Sequence, residues 1–170
     1  MFNIKSRIIS NHHKPFIIAE MSANHNGSLK NALKLVNIAA KSGADAIKLQ
    51  TYTADTITID SKRKEFLITN KKNLWKNKTL HQLYKKGQTP RSWHKKIFEQ
   101  AKKNKILCFS SPFDETAVDF LEKLKTPVYK IASFENEHYP LLKKIASTGK
   151  PVIMSIGMLN LNELEKSVNY

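Results

Sequence analysis

At 170 residues and 41% hydrophobic content, the chain has enough apolar side chains for one packed domain, and its composition differs from that of disordered or fibrous proteins. Its formal charge of +15 invites a nucleic-acid reading, but only Arg7, Arg63 and Arg91 are arginines, and the lysines scatter over many segments instead of forming one basic element, so specific base recognition is excluded. No run of about 18 apolar residues occurs and residues 1–7 lack an apolar signal core, so a cytoplasmic protein without a membrane span is expected; the lone Cys108, in an apolar run, excludes internal disulfides and reads as a small core residue.

Residues 2–10 alternate weakly around Ile4, Ile8 and Ile9 and predict a small hairpin, with segment 1–15 acting as a lid or plug. Residues 16–19 form a short apolar run of the kind buried on both faces of a parallel sheet, and it ends on Glu20. After the polar, turn-rich stretch 21–27, Ser28 is the expected N-cap of a helix over 29–42, with Leu29, Ala32, Leu33, Val36 and Ala39 on one face and Gly43 as its stop. A second strand over 44–50 carries Lys48 and Gln50 at its end. A long connection then runs from 51 to about 78, a length found in functional loops or disordered segments.

A short helix near 79–86 and a longer one from Pro90 to about 103, with Trp93, Ile97, Phe98 and Ala101 inward, lead to a third strand over 105–109 that ends in Ser110 and Ser111. A helix over 114–124, a fourth strand over 127–131, a helix over 139–147 stopped by Gly149, a fifth strand over 151–155 and a last helix from Leu161 complete the chain.

This alternation predicts βαβ units on a parallel sheet, which leaves an open doubly wound sheet or a (β/α)8 barrel. Neither a Gly-rich dinucleotide fingerprint nor a P-loop is present, so the barrel is favoured. A complete barrel takes about 250 residues; the expectation is an α/β fold of TIM-barrel type truncated to about its first five β/α units, over residues 16–170. The strand ends deliver Glu20, Asn24 and Asn26, then Lys48 and Gln50, then Ser110 and Ser111, then Lys130, Ser133 and Glu135, and last Ser155 and Gly157. Two lysines and several hydroxyls on one rim suit a phosphorylated or carboxylated substrate, and the two carboxylates can handle protons or face a developing cation. Each serine alone is equally a helix cap and each lysine a solvated charge; recurrence over five strands is what favours a site.

Four segments at that rim, IAEMSANHNG (18–27), DAIKLQTYT (45–53), FSSPFD (109–114) and YKIASFE (129–135), resemble the sialic acid synthase family in order and spacing, most of all its pseudaminic subgroup, and the similarity covers essentially the whole chain. The resemblance implies a (β/α)8 barrel followed by an antifreeze-like C-terminal domain that this sequence lacks, working as a domain-swapped homodimer. It implies condensation of phosphoenolpyruvate with an N-acetylated amino sugar to a nine-carbon 2-keto acid and free phosphate.

Carried over by motif, phosphoenolpyruvate falls to Lys48, Ser111, Lys130, Ser133 and Ser155, catalysis to Glu20, Glu135 and Lys130, and the sugar to Asn24, Gln50 and Tyr52. The implied cofactor is a divalent metal, Mn2+ or Mg2+, that polarises the sugar aldehyde; its histidine ligands belong to later strands and lie beyond this chain. The histidines present, among them His25, His81 and His94, lack a clustered ligand spacing, so no metal ligand is expected here. In the implied reaction C3 of phosphoenolpyruvate attacks the aldehyde, C2 becomes an oxocarbenium ion, water adds to C2 and phosphate leaves by C–O cleavage. Residues 50–53 and 132–135 resemble the pseudaminic subgroup, whose acceptor is 2,4-diacetamido-2,4,6-trideoxy-altrose; N-acetylneuraminate and legionaminate synthases are the alternatives, as is a noncatalytic fragment retaining only the phosphoenolpyruvate half-site. Ile156 stands where the family usually has threonine, which removes one hydroxyl from the phosphate region.

Overall fold

A computed structural model describes residues 2–70 and 72–170. Strands β1 (Phe2–Ile4) and β2 (Arg7–Ile9) pair antiparallel around a turn in which Lys5 takes a left-handed φ of 52°. Five further strands, β3 (Ile18–Glu20), β4 (Ala46–Thr51), β5 (Leu107–Pro112), β6 (Tyr129–Ile131) and β7 (Val152–Met154), form one parallel sheet whose spatial order equals their order in the sequence. Helices lie between them, α1 (Leu29–Lys41), α2 (Ala54–Ile57), α3 (Leu80–Gly87), α4 (Arg91–Lys103), α5 (Glu115–Lys123) and α6 (Tyr139–Ala146), and α7 (Leu161–Asn169) follows β7. The five-stranded arc with its helices is the half-barrel that the alternation of elements predicts.

Strand alternation divides the core in two. On one face of the sheet Ala46, Phe109 and Val128 pack with Ile4 of the hairpin and with Ile9, Phe16, Ile18 and Ile153. The other face is covered by helices. There Ala32, Val36, Ile97 and Ala101 meet Ile47, Leu49 and Cys108, and Val118, Leu121, Leu141 and Ile145 meet Tyr129 and Ile131. Cys108 is a core residue, and burial pushes its thiol pKa well above the ordinary range.

Capping follows from the sequence. Ser28 Oγ accepts the Asn31 N–H at 3.3 Å, and Gly43, at φ 84°, supplies the left-handed turn behind α1. Thr79 and Gln82 close a capping box at the start of α3. The connection from 51 to about 78, of a length found in functional loops or disordered segments, holds α2, a 3-10 turn over Lys64–Phe66 and Leu67, which bridges to Thr79. A four-residue helix is too short to show periodicity, and α2 rests on the Thr53–Thr56 capping box instead.

The third strand differs from its predicted span: β5 starts at Leu107 and runs on through Ser110 and Ser111. Ser110 is fully buried on the helix side, where a hydroxyl chain absorbs it: Ser110 Oγ lies 2.6 Å from Thr51 Oγ1, which lies 2.9 Å from His94 Nε2. His94 Nδ1 donates to the Pro90 carbonyl at 3.1 Å, so Nε2 accepts from Thr51 and Thr51 in turn accepts from Ser110. Burial lowers the His94 pKa to about 4, which keeps the ring neutral.

Among the described residues β3 and β7 each have one strand neighbour, and Ile17, Ile38, Val152 and Ile156 near these edges are exposed. Ile97 is wholly buried between the sheet and α1. Truncating Ile97→Ala is expected to lower the unfolding free energy by about 2–5 kcal/mol, while the exposed Ile59→Ala changes it by less than about 0.5 kcal/mol; urea melts followed by circular dichroism make the comparison.

Candidate functional site

The C-terminal ends of the strands gather ionisable groups on the face that carries the apolar Phe109 layer further down. In register, Glu20 pairs with Lys48, Lys48 with Phe109, and Gln50 with Ser111, so Lys48, Gln50 and Ser111 point to the same side of the sheet. Lys48 Nζ lies 2.8 Å from Glu20 Oε2; the lysine is mostly buried and the carboxylate half-exposed. On β6, Lys130 Nζ donates to the Ile131 carbonyl at 2.5 Å and to Ser155 Oγ in the segment after β7. Ser133 and Glu135 occupy a one-turn 3-10 helix over Ser133–Glu135 directly after β6. A methyl group placed on Gly157 would lie 3.9 Å from Ser133 Oγ, which sets that hydroxyl beside the 155–157 segment.

These groups feel one another. Burial lowers the pKa of Lys130, and the nearby ammonium of Lys48 lowers it further, while Glu20 and Glu135 act in the opposite sense. Burial raises the pKa of Glu135 against the pull of Lys130, and Glu135 Oε2 is buried without a hydrogen-bond partner. Two cations, two carboxyl groups and the hydroxyls of Ser111, Ser133 and Ser155 therefore converge. Such an array can hold a multiply charged anion on the lysines while a carboxyl group of raised proton affinity sits beside it.

Of the remaining predicted site residues, Gln50 shares the face of Lys48 and Ser111, while Asn24 and Tyr52 belong to the segments that follow β3 and β4. Asn24 is exposed in the turn after β3, its N–H bonded to the Met21 carbonyl at 3.1 Å. Gln50 is half-buried beside Ser111. Tyr52 is buried edge-to-face between Tyr84 and Phe113, with ring centroids 5.8 and 5.5 Å away, and burial raises its hydroxyl to about 12. Two residues that the sequence reading gives no place in the site, His25 being weighed there only as a metal ligand, shape the rim. His25 is fully buried: Nδ1 accepts the Gly27 N–H at 3.1 Å, Nε2 lies 3.2 Å from Thr89 Oγ1, and the ring meets Trp93 edge-on, so it braces the 21–27 turn. Asn136, next to Glu135, is fully buried with neither side-chain polar atom bonded. A turn histidine and an asparagine after a glutamate carry no pattern that singles them out. Among the described residues no three His, Cys, Asp or Glu side chains are arranged to hold a metal ion.

Residues 35–170 match the NeuB family. The chain is 49% identical to the pseudaminic acid synthase of Campylobacter jejuni over 153 residues, covering 90% of this chain and 44% of the relative. It is 40% identical to the N,N'-diacetyllegionaminic acid synthase of the same organism over 157 residues, covering 92% of this chain and 46% of that protein. In three dimensions it is similar to the crystal structure of N-acetylneuraminic acid synthetase from Leptospira borgpetersenii in complex with citrate, with a TM-score of 0.78 and 29% identity over 95% of this chain and 53% of that one. The chain thus spans about half the length of the relatives it matches.

Because the folded chain holds the Glu135 proton more tightly than the unfolded chain, the stability contribution of this group is full below the ordinary value of 4.5 and is lost as pH rises through the raised value. Glu135→Gln removes the cost of burying the charge. Its unfolding free energy at neutral pH is expected to exceed that of the parent, with the gap closing below about pH 4; urea melts across that range would show a pH-independent gap if the burial argument were wrong.

Proposed function

The chain belongs to the NeuB family, and from that premise we propose that it carries the phosphoenolpyruvate half of the active site of a sialic-acid-type synthase. The observation that carries this reading is the meeting of Lys48 and Lys130, from strands far apart in the sequence, on one face of the sheet with three serine hydroxyls around them. Without an anion the two ammonium groups oppose each other. A substrate bearing phosphate and carboxylate turns that repulsion into two charge-assisted contacts, with Ser111, Ser133 and Ser155 completing its hydrogen bonds.

The reaction we assign is condensation with an N-acetylated amino sugar. C3 of phosphoenolpyruvate adds to the sugar aldehyde and C2 takes on cationic character; water adds there, and the C–O bond to phosphate breaks. Lys130 and Lys48 offset the phosphate charge throughout. Glu135, next to Lys130, is suited to face the cationic C2, and Glu20, the more exposed of the two, to take a proton from the incoming water. The family resemblance attaches Mn2+ or Mg2+ to the sugar aldehyde. The described residues do not make that site, so its ligands would come from polypeptide outside them, and the steps assigned to these residues do not depend on it.

The sugar we favour is 2,4-diacetamido-2,4,6-trideoxy-altrose, because the chain is nearer to the pseudaminic relative, at 49%, than to the legionaminic one, at 40%. A cytoplasmic location and a homodimer belong to the same proposal. No helix among the described residues is long and apolar enough to cross a membrane.

Calorimetric titration with phosphoenolpyruvate tests the half-site. Lys48→Ala and Lys130→Ala are each expected to weaken binding by about tenfold or more, and a parent chain that binds no phosphoenolpyruvate overturns the reading. Formation of 2-keto acid from phosphoenolpyruvate, Mn2+ and the altrose sugar, with the C-terminal part of a relative supplied separately, tests the reaction, and silence of that complemented mixture counts against it. Restoring the hydroxyl with Ile156→Thr is expected to tighten phosphoenolpyruvate binding by about threefold, a modest gain for one exposed hydrogen bond.

A further inference from the structure

At the opposite end of the sheet from the lysine pair, helices α4 and α5 part. Near the C-terminal ends of the strands they are tied together: Arg91 donates to Thr116 Oγ1 at 2.7 Å and lies 3.8 Å from Asp114, and His94 meets the Phe120 ring edge-on at 5.2 Å. Toward the strands' N-terminal ends the layer opens into a cleft of about 680 Å3. Its floor is apolar, with Phe98, Ile106, Leu124 and Pro127, and its rim carries Lys5, Lys95, Lys102, Lys105, Lys123 and Lys125 against the single carboxylate of Glu99. Among the described residues none of these six lysines is held in an ion pair.

The backbone adds a second observation. Lys5, Lys105 and Lys125 have φ of 52°, 60° and 56°, left-handed positions that glycine or asparagine fills more readily. They come from three separate turns, and all three meet at this cleft. Last-turn lysines such as Lys102 and Lys123 also complement the negative ends of their own helices. Lys105 and Lys125 follow the C-caps Asn104 and Leu124 at the same two helix ends, which leaves Lys5 and Lys95 unexplained by helix dipoles.

We propose that this cleft binds a nucleoside polyphosphate, with the phosphates on the lysine rim and the base and sugar against the apolar floor. The volume is that of a small-molecule site, and the concave shape does not suit a flat protein partner. Six cations facing one carboxylate call for a ligand with several negative charges, and the floor calls for an apolar ring on the same molecule. The site is separate from the phosphoenolpyruvate centre, so it offers a place where a nucleotide acts without competing for substrate.

Titration calorimetry of the chain with ATP at about 0.15 M salt tests this. The expected result is one ATP per chain, weakened about tenfold or more by the double change Lys102→Glu and Lys125→Glu, and altered by less than about twofold by Lys30→Glu and Lys34→Glu on the exposed face of α1. Lys95→Glu alone, on the solvent side of α4, repeats the test if the double variant does not fold. Inorganic tripolyphosphate binding as tightly as ATP overturns the nucleoside part. Displacement of ATP by phosphoenolpyruvate, equal losses in both double variants, or no ATP binding at all overturns the site.

Discussion

The register of β4 against its two neighbours is the constraint on which the site depends. This six-residue strand pairs with Glu20 on one side and with Ser111 on the other, and it alternates between the helix-covered core and the face that carries ionisable groups. Ile47 and Leu49 are fully buried under α1 and α4; that burial fixes which way Lys48 and Gln50 point. A slip of one residue would place the lysine in the hydrocarbon core, at a cost that no available partner there offsets. The apolar half of the strand therefore aims the chemistry of the polar half.

The site is electrostatically poised before any ligand arrives. Lys48 is matched by Glu20, whereas Lys130 is moored to a carbonyl and to Ser155, neither of which carries a charge. The Glu135 carboxyl group lies close enough to influence Lys130 but makes no hydrogen bond through Oε2. One lysine is thus held by a counter-charge and the other by dipoles. Lys130 is the less compensated of the two cations.

Much of this architecture was legible in the sequence because parallel strands and amphipathic helices leave strong periodic signals. Apolar runs leading to Glu20, Lys48, Lys130 and Ser155 placed β3, β4, β6 and β7 to within a few residues, and Ser28 and Gly43 bounded α1 correctly. Position along a strand was harder to read. Ser110 and Ser111 are chemically identical neighbours, and only the three-dimensional alternation sends one to the Thr51–His94 network and the other to the polar face. Tyr52 is carried over only by motif, and its packing against Tyr84 of α3 and Phe113 after β5 has no trace in its own segment. The mutual influence of Lys48 and Lys130 has no local trace, since it arises only when β4, β5 and β6 lie side by side.

The sheet's spatial order, which equals its sequence order, bears on how the chain acquires its structure during synthesis. Among the described residues each strand from β4 to β7 pairs with the one made just before it, so the arc can be laid down step by step as the polypeptide leaves the ribosome. The growing edge at any moment is the newest strand, shielded by the helix that follows it. Lys130 reaches its hydroxyl partner on Ser155 only after β7 has joined, so this cluster of polar strand ends is among the last features to form, on a scaffold already set around β4.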